Sequence, residues 1–265
     1  MISHVPQDPW AALADPFVEG AYASVKGQVR TFVLHAQLLR HLPDPPAAVL
    51  DLGGGAAHQS LPLARLGYDV TVLDPSPAML DKARQRVSEE PEDVRRRVRL
   101  VEAPGEQAEA ATDGQRFAAV LCHGVVMYVE RPEPLVGALC RCTQPGGVVS
   151  VMALNARTLA VRPALERRWA DALGAFDAAG EMGVLGTETR GDTVEGLSEL
   201  LHQHGVEPEA WYGVWLFADW MDLPPESTDV AAVAAVELEA SMRDPYRQLS
   251  RVFHLIGRRP PASRA

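Results

Sequence analysis

Asp51 and Asp74 bracket a run of three glycines in "VLDLGGGAAHQSLPLARLGYDVTVLDPSP", residues 49–77. Glycines placed directly after a strand let a ligand approach the backbone, and the following helix points its positive N-terminal end at that ligand. A dinucleotide site has the spacing G-x-G-x-x-G, in which the third glycine permits close helix–strand packing. Here Gly53, Gly54 and Gly55 are followed by His58, a bulky residue where that third glycine would stand. Asp51 would repel a pyrophosphate and suits a ligand carrying an ammonium or a sulfonium. Asp74 closes the next apolar run, where a carboxylate can accept hydrogen bonds from both hydroxyls of a ribose.

Other residues could do chemistry, and each has a plainer reading beside it. Tyr22, Lys26 and Arg30 follow one another at a spacing of four and share a helical face; Arg30 could equally be a surface arginine. His123 follows "FAAVLC" at the carboxyl end of a strand, the position where ligands of open α/β sheets sit, although a lone histidine is more often structural. Cys140 and Cys142 fall on different helical faces and read as packing residues, while His202 and His204 suit the negative C-terminal end of a helix better than a metal. No metal site is expected. Trp211, Tyr212, Trp215, Phe217 and Trp220 form either core or the wall of an acceptor pocket.

The elements that must position these residues alternate along the chain. Strand-like runs at 47–52, 68–74, 97–103, 117–123 and 146–154 are separated by helical patterns at 57–67, 76–90 and 132–143. Alternation of this kind predicts a doubly wound, mostly parallel sheet of the α/β class. Farther on, 159–176 reads as a helix, "AAGEMGVLGTETRGDT" as a glycine-rich connector and 194–205 as a helix. The stretch 209–221 and the run around 246–260 read as strands with a helix at 229–242 between them, an antiparallel pair that brings the sheet to seven strands. Residues 1–46 read as an N-terminal helical cap or lid, 47–259 as the main Rossmann-like domain with an inserted helical segment at about 156–195, and 260–265 as a disordered tail.

Composition narrows the function. The chain has 265 residues, 47% of them hydrophobic, and no apolar run approaches the roughly 18 residues that cross a bilayer. The first residues carry neither the basic nor the apolar region of a secretion signal. Three cysteines cannot all pair, which suits a reducing, cytoplasmic setting. A formal net charge of −10 disfavours a polyanion partner. The basic run "VRRRVR" at 94–99 lies between a helix and a strand and reads as a solvated turn.

"VLDLGGGAA" followed by "VTVLDPSPAML", with "QPGGVVSV" before the fifth strand, resembles the class I S-adenosylmethionine-dependent methyltransferases. "YASVKGQVR", "LCHGVVMYVERPEPLV" and "VMALNA" are similar to the tRNA 5-carboxymethoxyuridine carboxyl methyltransferase family, broadly from Ala14 to Ala156 and thinly thereafter. The resemblance implies S-adenosylmethionine as cofactor, not NAD. It also implies that Arg30 meets the cofactor's carboxylate, that Gly53 and Gly54 form the loop, that Asp74 holds the ribose and that His123 contacts cofactor or acceptor. The adenine-side residue falls among Gly105, Glu106 and Gln107, with Glu106 favoured.

The sequence departs from that family where its members are lysine-rich: "GEMGVLGTETRGDT" holds acids and one arginine, and an aromatic replaces an arginine near Trp215. Loss of natural phosphate contacts points away from tRNA and towards a small acceptor. The expectation is a methyltransferase acting on an oxygen, carboxylate or hydroxyl, of a small molecule, with Tyr22, Arg30, Asp51, Gly53, Gly54, Gly55, Asp74, Glu106 and His123 on the cofactor and His123 as candidate catalytic residue. The alternatives are the tRNA carboxyl methyltransferase and a non-catalytic S-adenosylmethionine-binding protein.

Overall fold

The computed structural model describes residues 10–11, 14–15, 20–183 and 186–262. Parts of the expected cap (1–9, 12–13 and 16–19), of the connector (184–185) and of the tail (263–265) lie outside the described residues.

Helix α1 (Val25–Leu39) starts where the Ser24 side chain accepts the Gly27 N–H, and it buries Val25, Val29, Val33, Leu34 and Leu38 along one stripe. Strand β1 (Ala48–Leu52) follows, then α2 (Ser60–Arg65) and β2 (Asp69–Asp74). Helix α3 (Pro77–Ser88) is capped by Ser76, whose side chain accepts the Met79 N–H, with Pro77 in its first turn. Next come α4 (Glu92–Arg95), β3 (Val98–Glu102), α5 (Ala108–Ala111), β4 (Phe117–His123), α6 (Glu133–Cys142) and β5 (Thr143–Leu154). The remainder is α7 (Val161–Leu165), α8 (Trp169–Ala175), β6 (Gly180–Met182), β7 (Glu188–Arg190), α9 (Val194–Gln203), β8 (Glu207–Val214), α10 (Val230–Ala240) and β9 (Val252–Arg258).

Seven of these strands form one sheet in the order β3-β2-β1-β4-β5-β9-β8. The first five run parallel, and β9 is antiparallel to both β5 and β8. This is the expected seven-stranded, doubly wound α/β sheet. One face packs on α6 and α9 through Leu135, Leu139, Leu197 and Leu201, and the other on α1, α2 and α3 through Leu38, Leu61, Leu63 and Leu80. Each of these buried leucines contributes on the order of 1.5–3 kcal/mol by leaving water. The strand order reverses between β1 and β4, which leaves a crevice outside their carboxyl ends. At one edge, β8 carries Pro208 between two glutamates and shifts register between Pro208 and Ala210.

Several elements differ from the sequence reading, among them the run expected as a strand around 246–260, where a 3-10 turn at Tyr246–Leu249 precedes β9. The helix expected at 57–67 is shorter, because Ala57 sits at φ 60 in a turn that delays it. The helix expected at 159–176 is broken by Arg167 at φ 61 into α7 and α8. The connector contains an antiparallel hairpin, β6 with β7. The strand expected over 209–221 ends at Val214: Trp215 turns left-handed at φ 58, and the N–H groups of Leu216, Phe217 and Ala218 then donate to the Glu237 carboxylate (2.9, 2.6 and 2.6 Å). A buried carboxylate that accepts three amide protons competes successfully with the sheet ladder.

Candidate functional site

A cavity of about 520 Å³ opens at the switch between β1 and β4, within the usual range for small-molecule sites. Its first end is built from the glycine turn. Gly53 adopts φ 69, and a Cβ there would run into Val125, so only glycine fits. Asp74, at the end of β2, is held by two backbone donors: its Oδ2 accepts the Gly55 N–H and its Oδ1 the Ser76 N–H, each at 2.9 Å. The carboxylate therefore lines the cavity in a fixed orientation. Met79 and Glu106 complete this end.

Arg30 marks the middle of the cavity. Its guanidinium lies over the Tyr22 ring at 5.1 Å and the Trp215 ring at 5.9 Å. Tyr22, in the turn ahead of α1, stacks on His58 with ring centroids 3.7 Å apart. Burial and the charges of Arg86 and Arg30 push His58 down to about 3, so that ring is neutral. A side chamber of about 20 Å³, room for one water, adjoins this region and is lined by Arg30, Asp51, Gly53, His58 and His123. Asp51 accepts the Ser60 hydroxyl at 2.5 Å, and burial raises its carboxyl to about 6 against that hydrogen bond. His123 lines both spaces; burial, with help from His254 and Arg30, holds it neutral.

The far end is walled by Met127, Met152, Leu154, Trp215 and Val252 and closed by charges. Arg162 pairs with Asp219 at 2.6 Å, and Arg251 pairs with Glu181 and lies 3.8 Å from Asp219. The Lys26 ammonium donates to the Asp219 carbonyl at 3.1 Å. Burial and the Arg162 charge bring Arg251 down to about 10, while burial raises Asp219. Arg251 Nη1 and Asp219 Oδ2 are buried without a hydrogen-bond partner among the described residues.

The cavity brings together Tyr22, Arg30, Gly53, Gly54, Gly55, Asp74, Glu106 and His123, while Asp51 lies in the side chamber. Of Gly105, Glu106 and Gln107, the first two line the cavity; of the five C-terminal aromatics, Trp215 does. Trp211 instead lies beneath Arg247, Tyr212 meets His41 at 2.7 Å and Phe217 meets Tyr246. Cys122, Cys140 and Cys142 are buried free thiols, and His202 faces Glu207 at 3.0 Å. In the 94–99 run, Arg96, Arg97 and Arg99 pair with Glu92, Asp93 and Asp113. Sequence reasoning missed Arg162, Glu181, Asp219 and Arg251, and no motif or spacing joins them.

Comparison with known proteins agrees with this architecture. Residues 50–151 match the profile of a methyltransferase domain. The chain is 25% identical over 252 residues to the tRNA 5-carboxymethoxyuridine methyltransferase of Escherichia coli K12, covering 94% of this chain and 95% of that one. It is 35% identical over 116 residues, 44% of each chain, to the ubiquinone biosynthesis O-methyltransferase of Methylobacterium nodulans. Among solved structures, the magnesium protoporphyrin IX methyltransferase of Synechocystis PCC 6803 superposes with a TM-score of 0.62 at 15% identity, covering 94% of this chain and 98% of that one. The chain carries a methyltransferase domain, built on the fold of the S-adenosylmethionine-dependent methyltransferases.

Proposed function

We propose that this S-adenosylmethionine-dependent methyltransferase moves the methyl group to an oxygen, carboxylate or hydroxyl, of a small-molecule acceptor. One observation carries the reading. A single cavity joins the Gly53–Asp74 end, where a nucleoside would lie, to an apolar and charged end lined by Met127, Leu154, Trp215 and Arg251, where an acceptor would lie. Asp74 takes the ribose hydroxyls, Glu106 lies on the adenine side, and Arg30 pairs with the methionine carboxylate. Glycines 53 to 55 let the backbone approach the ligand.

Transfer is a displacement at carbon: an oxygen lone pair forms the new C–O bond as the C–S bond breaks, and the sulfonium leaves as a neutral thioether. Alignment of donor and acceptor supplies much of the rate. A carboxylate acceptor is already anionic near neutral pH and needs no base. A hydroxyl acceptor would hand its proton to a neighbouring base or to water.

Charge pairing supports a small acceptor over a nucleic acid. Arg157 pairs with Glu195, Arg168 with Glu166 and Asp171, and Arg190 with Asp192, so these arginines of the inserted segment are already neutralised. The second reading, esterification of the carboxymethoxy group of a tRNA wobble uridine, draws on the end-to-end similarity to the Escherichia coli enzyme. Titration with bulk tRNA across salt separates the two. Weak, nearly salt-independent binding is expected; micromolar affinity with a steep negative salt slope would replace the first reading with the second.

A further inference from the structure

We infer that Gln37, His254 and Ser150 are positioning residues: their hydrogen-bond chain fixes the tautomer of His123 and leaves its Nδ1 as an acceptor for the ammonium of the cofactor's methionine end. The inference rests on the cofactor assignment proposed above.

The chain runs from α1 through β9 and β5 to β4. Gln37 Nε2 donates to the Gly213 carbonyl at 3.0 Å, so its Oε1 faces His254 Nδ1 at 2.9 Å. A flipped amide would set two oxygens against each other, so the orientation is determined. An amide oxygen only accepts, and His254 Nδ1 therefore carries a proton. His254 is fully buried and burial lowers it to about 3, so it is neutral and its Nε2 is a bare lone pair. Ser150 Oγ, 2.6 Å away, must donate to that lone pair. The same oxygen then accepts from His123 Nε2–H at 2.7 Å.

A neutral imidazole with its proton on Nε2 presents a lone pair at Nδ1. That atom is buried and has no hydrogen-bond partner among the described residues. Its surroundings say which donor suits it. His123 shares the side chamber with Arg30 and Asp51, and a Cβ at neighbouring Gly124 would lie 3.4 Å from Arg30 Nη2. A guanidinium beside a lone-pair nitrogen and a carboxylate complements an α-amino acid, carboxylate towards Arg30 and ammonium towards His123 and Asp51. An acceptor's hydroxyl would instead be expected among Met127, Leu154 and Trp215, at the other end of the cavity.

Long-range ¹H–¹⁵N correlation of the histidine rings in the ligand-free protein at neutral pH reads the tautomers directly. His123 should be protonated at Nε2 and His254 at Nδ1; the reverse assignment, or a cationic His123, would overturn the inference. Calorimetry with S-adenosylhomocysteine and with 5′-methylthioadenosine, which lacks the amino-acid end, tests the consequence. Ser150→Ala should weaken S-adenosylhomocysteine by about 5–30-fold, the equivalent of one or two kcal/mol, and leave methylthioadenosine within about twofold. Ser150→Thr should restore the affinity. Equal losses for both ligands, or unchanged affinity with a lower kcat, would sink the assignment to the ammonium. Wild-type protein that binds neither compound would overturn the cofactor reading instead, whatever the tautomers.

Discussion

The glycine-turn end of the cavity is built mainly from the turns after two consecutive strands, β1 and β2, whereas the charged end draws Lys26, Arg162, Glu181, Asp219 and Arg251 from five separate elements or loops. At the first end, backbone amides of Gly55 and Ser76 orient Asp74, so the geometry follows from the turns of two successive strand–turn–helix units, β1–α2 and β2–α3. At the second, side chains orient side chains: Arg162 on Asp219, Arg251 on Glu181. A local unit can stay fixed while the rest of the chain changes. A constellation of buried ion pairs can be rebuilt by exchanging one partner, at the cost of stranding the other. The first kind of construction fits a ligand common to many enzymes, the second a ligand particular to one.

Four substitutions can break or sharpen that contrast. Glu237→Ala strands the amides of Leu216, Phe217 and Ala218, which hold the turn carrying Trp215 and Asp219. Stability should fall by about 3 kcal/mol or more in chemical denaturation, while the fraction still folded keeps its affinity for S-adenosylhomocysteine. A matching loss of cofactor affinity would mean that the two ends are not separable.

Asp51→Asn tests the buried acid behind the glycine turn. In the folded protein its carboxyl titrates near 6 rather than 3.8, so the wild type is most stable below the lower value and loses stability as pH rises to the upper one. Relative to wild type, the ligand-free Asn variant should gain up to about 3 kcal/mol between those limits and level off above them. A flat difference across pH 4–7 in denaturant midpoints would remove Asp51 from that role.

Asp74→Ala should weaken S-adenosylmethionine at least tenfold by calorimetry, consistent with about 1.5–3 kcal/mol for charge-assisted hydrogen bonds; unchanged affinity would refute the ribose placement. Arg30→Ala should weaken S-adenosylmethionine by about tenfold and leave adenosine unchanged. Equal losses for both would count against the carboxylate clamp.

The same contrast explains what could be read from the chain. Alternating strand and helix patterns, the Gly53–Gly55 turn and Asp74 are local signals, and they point to the sheet and to one end of the cavity. Composition alone overextends strand β8, because "WYGVWLFADWM" has strand character throughout, while the reason the strand stops is Glu237, about twenty residues away on α10. The inserted segment was expected as one helix because nothing in "LAVRPALERRWADALGAF" announces that Arg167 turns left-handed. The relay behind His123 joins residues 37, 123, 150 and 254, each unremarkable in its own neighbourhood. Pairings made only by the folded sheet leave no periodic trace in one sequence.

The outer strand β8 has a bearing on how copies of the chain can meet. Pro208 offers no amide hydrogen to an incoming strand and the register shift beside it bends the border, while the neighbouring Glu209 is already engaged by Arg258. Both features disfavour growth of the sheet by strand addition on that side.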